Sequence, residues 1–420
     1  MISIGIDWAD DKHDICVRDR EDRRILAILT IQHDAAGVAQ LDELVVTLGY
    51  QAGECLVAIE RPDGLLVGYL LQQGYQVYAI HPQAVDRYRD RHHAAGSKTD
   101  PIDAATLADI LCVDREYHRP IPADSPLAQE IQLVSRHRQR LVAERTSLKN
   151  QLTACLKAYY PIALKLFTDL DLAIAWAFLR AYPNAQVASQ ASLADLQGFF
   201  AEQGYTCKRK IPAIFKQLQA PSIPVSAWQV RAYQRLMLAL VNLLAALQPQ
   251  ILAYERELSN LLDQHEDAFI FRSLPNAGVI TAAWLLGEIG DCRDKFQNST
   301  GLQALAGTCP VTRQSSKQRF VKFRTACCKP FRNGVQQFAR LSTHPTQGAA
   351  WAKGYVRSQL DRGHNLNRAR RALANRWLSI IFRLWKDRIA YDEKVHLRNR
   401  ALKGCLPAAE PVSIPIFQEA

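Results

Sequence analysis

The chain has 420 residues, 52 Lys and Arg against 41 Asp and Glu, and a formal net charge of +11. That length exceeds one ordinary hydrophobic core, so two or three domains are expected, and the cationic surplus favours a polyanionic partner, nucleic acid before a membrane surface. No stretch reads as long and apolar enough to span a bilayer, and the N-terminus enters a strand at once, which predicts no signal peptide. Ten cysteines lie without C-x-x-C or His-paired spacing, which fits reduced thiols in a cytoplasmic protein rather than a disulfide frame or a zinc site.

Residues 2–7, 13–17 and 24–31 are β-rich runs that read as a meander, with Asp19 and Asp22 in a polar turn. Residues 38–48, 65–73 and 82–92 read as helices, and 55–60 and 76–80 as strands. Three antiparallel strands followed by α-β-α-β-α resembles the order of an RNase H-like sheet, in which the first and fourth strands are neighbours. Asp7 closes the first run and Glu60 the fourth, so this order places the two acids together. An acid ending a buried strand is costly without a partner or a cation, although a single one is as readily a turn residue.

Asp100-Pro101-Ile102-Asp103 then opens an apolar helical run through Leu107, Ile110 and Leu111. Pro101 has no N–H to lose and suits the first helical position, which makes Asp100 the expected N-cap and Asp103 the third helical residue. Residues three apart share a face, so both carboxylates point together from a helix start that favours negative charge. The same pair also reads as a capping box and nothing more.

Residues 127–160 read as one helix, with Leu127, Val134, Leu141 and Leu148 in heptad spacing. Its other face carries Arg136, Arg138, Arg140, Arg145 and Lys149, expected to be solvated by default or else to track a nucleic-acid backbone. A second heptad helix carries Tyr233, Met237, Leu240, Leu244, Leu247, Ile251, Tyr254, Leu258 and Leu261, with a kink expected at Pro249. The two are expected to pair within the chain, across a dimer, or both. Between them, 161–226 reads as an inserted helical subdomain, with helices at 170–181 and 193–202 and Trp176, Phe178, Phe199 and Phe200 as its core.

The remainder is basic and punctuated by Gly and Pro. Leu274-Pro275-Asn276-Ala277-Gly278 leads into a helix through Leu285 and Leu286, either as an exposed phosphate-binding turn or as a tight helix-helix link. Residues 306–317 read as a polar loop, and 365–388 as a basic amphipathic helix burying Leu373, Trp377, Ile380, Ile381 and Leu384. The expected domains are an α/β domain over 1–125, coiled-coil helices over 126–266 with the insert, a mostly helical domain over 267–395, and a tail over 396–420. The chain beyond residue 390 is expected to be mobile.

Four carboxylates at a sheet edge form a hard oxygen cage, which suits Mg²⁺ or Mn²⁺ and through them phosphodiester chemistry. Ser315, in an Arg-lined loop, could replace water as nucleophile and form a phosphoserine that conserves bond energy for rejoining. On residue type alone the favoured reading is a loop hydroxyl bonded to its own backbone.

Ile6-Asp7, Ala58-Ile59-Glu60, Lys98-Thr99-Asp100 followed by Asp103-Ala104, and the run from Leu274 to Lys317 together resemble the DEDD-type insertion-sequence transposases. These are related to the Piv/MooV DNA invertases and act as bridge-RNA-guided recombinases. The resemblance implies an N-terminal RuvC-like (RNase H-fold) domain, a coiled-coil linker and a C-terminal transposase domain. It implies that Asp7, Glu60, Asp100 and Asp103 hold Mg²⁺ or Mn²⁺, and that the serine of the family's Gln-Ser-Gly motif, here Ser315, is the nucleophile. Two positions depart from the pattern: Pro275-Asn276-Ala277-Gly278 replaces Pro-Gly-x-Gly, and Ser316 replaces the glycine after the nucleophile, which makes Ser316 the alternative. The implied partners are double-stranded donor and target DNA, a structured non-coding guide RNA, and further copies of the chain as a dimer assembling to a tetramer. No membrane partner is implied, and the protein is expected to be cytoplasmic and DNA-associated. Arg313, Lys317, Arg319, Lys322, Arg324 and Arg332 are the expected nucleic-acid contacts. The rival readings are an RNase H-type nuclease or junction resolvase that hydrolyses with water, and a non-catalytic nucleic-acid scaffold.

Overall fold

The computed structural model describes residues 1–402 apart from 63, 93–98, 122, 123, 222, 316 and 317. Two compact units divide the chain, residues 1–123 and 124–420.

In the first unit β1 (Ile2–Trp8), β2 (Lys12–Asp19) and β3 (Ile25–Gln32) form the meander. Then come α1 (Ala35–Thr47), β4 (Cys55–Ile59), α2 (Leu65–Gln72), β5 (Gln76–Ala79), α3 (Pro82–His92) and α4 (Asp100–Val113). The sheet order is β3-β2-β1-β4-β5, with β1 antiparallel to β2 and parallel to β4. Alternation assigns the faces. Ile2, Ile4 and Ile6 pack with Val57 and Ile59 under Leu41, Val45, Leu66 and Leu70 of α1 and α2. Leu56 and Ala58 face the other way, against Leu107, Ile110 and Leu111 of α4.

Ser3, Gly5 and Asp7 share that second side, and two contacts fix how α4 lies over them. The Ser3 hydroxyl donates to the Ala108 carbonyl at 2.6 Å. A Cβ on Gly5 would meet the Ala104 carbonyl oxygen at 2.0 Å, so only glycine lets the helix settle here. Rising numbers on β1 meet falling numbers on α4, which brings the start of α4 to the end of β1 that carries Asp7. That start differs by one residue from expectation. Thr99 is the N-cap and neither aspartate caps through its side chain, so Asp100 is the first helical residue and Asp103 the fourth. All first-turn N–H groups lack intrahelical acceptors, so proline is tolerated at the second position as at the first. The capping-box reading fails, while the three-residue spacing still puts both carboxylates on one face. Lys98, which precedes Thr99 and Asp100 in the sequence pattern, lies outside the described residues.

The second unit is built on α5 (Pro126–Tyr159). Next come α6 (Ala163–Leu166), α7 (Ala173–Ala181), α8 (Ala185–Gln190), α9 (Leu193–Glu202), α10 (Ile211–Leu218) and α11 (Ala227–Gln264). Cross-links from Arg138 to Glu255, Arg145 to Gln248 and Cys155 to the Tyr233 carbonyl show that α5 and α11 run antiparallel. Leu152, Leu156, Met237, Leu240 and Leu244 at one end of the pair pack with Trp176, Phe178 and Phe200 of the insert. Ile131, Val134, Leu258 and Leu262 at the other end join the C-terminal core. α11 continues through Pro249. Contrary to expectation, it is long and apolar enough to cross a membrane by length and composition alone. Its apolar residues serve both cores of the unit.

The basic stripe on α5 is not a solvated face. Arg136 makes a two-pronged bond to Glu288 at 2.9 Å, Arg138 meets Glu255, and Lys149 reaches Asp169 and Asp171 at 3.1 Å. Most of those cations are consumed holding helices together, and Arg140 alone of the five is exposed.

The C-terminal core adds α12 (Ala268–Arg272), α13 (Val279–Ile289), α14 (Ser299–Leu305), α15 (Lys329–Leu341), α16 (Ala350–Asp361) and α17 (Leu366–Asp387). Residues 274–278 form the tight link between α12 and α13, with Asn276 at φ 55° and its amide donating to the Leu341 carbonyl at 3.0 Å. The expected polar loop is instead a hairpin of β6 (Val311–Ser315) and β7 (Gln318–Lys322), because Val311, Thr312, Phe320 and Val321 supply β-formers among the polar residues. α18 (Glu393–Leu402) is helical where a mobile tail is expected, and 403–420 lie outside the described residues.

A carboxylate cluster at the end of β1 and a serine on a hairpin

Four elements deliver acids to one place in the first unit. Asp7 and Asp14 are direct partners across β1 and β2, so their side chains share a face. Ile6 pairs with Ile59 at the end of the β1–β4 ladder, which sets Glu60 beside Asp7. The start of α4 adds Asp100 and Asp103.

The field at Asp7 records this gathering. Its carboxyl is raised from 3.8 to about 6, first by burial and then by Asp103, Asp100, Glu60 and Asp14. Every influence acting on it opposes ionisation. Asp103 is buried and meets the Arg89 guanidinium at 2.5 Å, and Arg89 also holds Asp86 at 2.5 Å. Asp14 accepts a 2.5 Å bond from the Thr30 hydroxyl, with Lys12 at 3.9 Å. Among the described residues no three acid, His or Cys side chains close into a ligand set. The donors are nonetheless all oxygens with excess negative charge, the chemistry a hard divalent cation satisfies.

The four acids read from the sequence are thus brought together. Asp14 and Arg89 escaped that reading. A signal for Asp14 existed, because a short turn between two antiparallel strands sets it opposite Asp7. Arg89 had none, being one of three arginines on α3 with nothing to say which meets α4.

Ser315 belongs to the second unit, as the exposed last residue of β6, paired with Gln318. Ser316 and Lys317 fall outside the described residues, as do the side chains of Arg313 and Arg319. Lys322 is exposed. The Arg324 carbonyl accepts from Arg332 at 2.6 Å, and Arg332 and Arg371 each lie 4.6 Å from the Phe323 ring. Arg332 is therefore committed to anchoring the base of the hairpin.

Acids from β1, β4 and a following helix start, gathered on one face of a mixed sheet, describe a DEDD-type transposase domain, and residues 4–161 match that domain. Residues 268–355 match the transposase domain of the IS116/IS110/IS902 family. The chain is 33% identical over 417 residues to the IS117 mini-circle protein of Streptomyces coelicolor, covering 96% of this chain and 97% of that one. It is 26% identical to the 43.6 kDa protein of insertion element IS110 from the same organism, over 83% of this chain and 86% of that one. It is 23% identical to the 42 kDa protein of IS900 from Mycobacterium paratuberculosis, over 92% and 96%. The protein belongs to the IS110/IS116/IS902 family of insertion-sequence transposases.

Proposed function

We propose that this transposase cuts and rejoins donor and target DNA through a phosphoserine formed on Ser315, with a RuvC-like (RNase H-fold) carboxylate site supplying the divalent-metal chemistry. The observation that supports the carboxylate half of the reading is Asp7, whose carboxyl is raised to about 6 by burial and four acid neighbours; the serine half rests on the family motif that Gln314-Ser315 resembles. A site that suppresses its own ionisation is one where a divalent cation would replace the proton. Asp7, Glu60, Asp100 and Asp103 would hold Mg²⁺ or Mn²⁺, with Asp103 exchanging Arg89 for the ion. Bound there, the ion would neutralise charge on the scissile phosphate and leaving oxygen.

The Ser315 oxygen attacks phosphorus and the bond to the 3′ oxygen breaks, so the 3′ oxygen leaves as a hydroxyl. A 3′-OH from a second duplex then attacks the phosphoserine and returns the serine hydroxyl, one phosphodiester being exchanged for another. Sequence choice is delegated to a structured bridge RNA encoded with the element, as in the Piv/MooV-related relatives that the sequence resembles, while the protein reads backbone and shape.

The chain works as a homo-oligomer. Leu236 and Leu243 are 47% and 54% exposed on the outer side of α11. Ala232, Ala239 and Ala246 complete an exposed seam of three- and four-residue steps, which suits a second copy of the same helix. The deciding experiment is trapping. Wild-type protein with Mg²⁺ and element-end DNA is expected to give a denaturation-resistant adduct that Ser315→Ala abolishes. Strand cutting that survives this change without an adduct would hand the reaction to water.

A further inference from the structure

The hairpin face that presents Ser315 also presents an aromatic ring for which the fold has no use. In the β6–β7 ladder Ser315 pairs with Gln318 and Arg313 with Phe320. Side chains two apart on a strand share a face, so Phe320 is the diagonal neighbour of Ser315, about 7–8 Å away. The residue is 53% exposed and belongs to none of the buried cores. Phe323, three residues on, shows what a structural ring looks like here, clamped between Arg332 and Arg371.

The surroundings narrow what Phe320 can meet. Residues 295–360 contain eleven Lys and Arg and no Asp or Glu. A strand of nucleic acid satisfies both features at once, its phosphates matching the cations and a base presenting a π-face to the ring. A base stacked inside a duplex hides that face, so the base must be unstacked.

We propose that Phe320 is a base-stacking positioning residue. It holds the unstacked base of the DNA nucleotide beside the scissile phosphate and so fixes that phosphate against the Ser315 hydroxyl. The assignment rests on Ser315 as nucleophile for its second half, while the stacking contact stands on the hairpin alone.

The test uses the full chain carrying Ser315→Ala, so that no strand is cut, and a single-stranded DNA oligonucleotide containing 2-aminopurine, whose fluorescence is quenched by stacking. Quenching is expected with this protein. Adding Phe320→Ala removes the quench and weakens binding about 5- to 150-fold, the equivalent of one lost base stack. Phe320→Tyr restores both, and Val321→Ala, an exposed residue on the opposite face, changes neither. Quenching indifferent to Phe320→Ala overturns the proposal, and Phe320-dependent quenching seen with the RNA oligonucleotide but not the DNA one overturns its assignment to DNA. If the protein with Ser315 intact yields no covalent adduct while the Phe320-dependent quench persists, the nucleophile reading falls and the stacking contact remains.

Discussion

Asp7 is squeezed from several directions by its own kind, so its affinity for a proton and its affinity for a cation read the same field. With a native value of about 6 against 3.8, the folded state binds the extra proton between those limits. Stability therefore falls as pH rises through that window, and the cost is fully present above it. Asp7→Asn keeps the shape and removes the charge. In chelator it is expected to raise the Tm at about pH 8, and to lose that advantage as pH falls toward about 4. A thermal scan across that range checks it, and an Asp7→Asn protein no more stable than wild type at the upper end would contradict the described field. Asp7, Glu60, Asp100 and Asp103 were legible in the sequence because strand ends and a proline-marked helix start are written locally. Asp14 needed the register of a hairpin, and Arg89 needed the rotation of α3 against α4, which no local pattern encodes.

The elements of the sheet unit followed from period and punctuation, and Gly5 explains how tightly two of them close. The basic stripe on α5 did not follow. Whether an arginine is solvated or paired depends on a partner such as Glu288, 152 positions away from Arg136. Glu288 is almost wholly enclosed, with 1% of its side chain exposed. Arg136→Ala should therefore leave an uncompensated buried carboxylate and cost about 3–5 kcal/mol. Adding Glu288→Gln should recover part of that loss in denaturant unfolding, and an Arg136→Ala change within about 0.5 kcal/mol of wild type would mean the pair contributes only as a surface contact. The hairpin was hidden for a different reason: two exposed faces erase the apolar alternation by which a strand is usually recognised.

The molecule as a whole distributes its charge unevenly. Acids gather in the first unit, the second contains a long stretch without any, and the outer seam of α11 remains exposed. Changing Leu236 and Leu243 together to Glu should convert an oligomer to monomer in sedimentation or light scattering, without loss of helix signal. Monomer already in the wild type would remove α11 from the assembly.

The antiparallel pair of α5 and α11 also acts as a ruler with a phase. The 34 residues of α5 span about 50 Å, and each residue turns whatever is attached at its far end by about 100°. Deleting seven residues from each helix, in register, would draw the insert lobe inward by about 10 Å and leave its azimuth almost unchanged. Deleting one from each would swing that lobe to another side of the axis at nearly the same distance. Viable length changes in this strut therefore come in steps close to whole heptads, and any surface the insert offers to nucleic acid is addressed by angle as much as by reach.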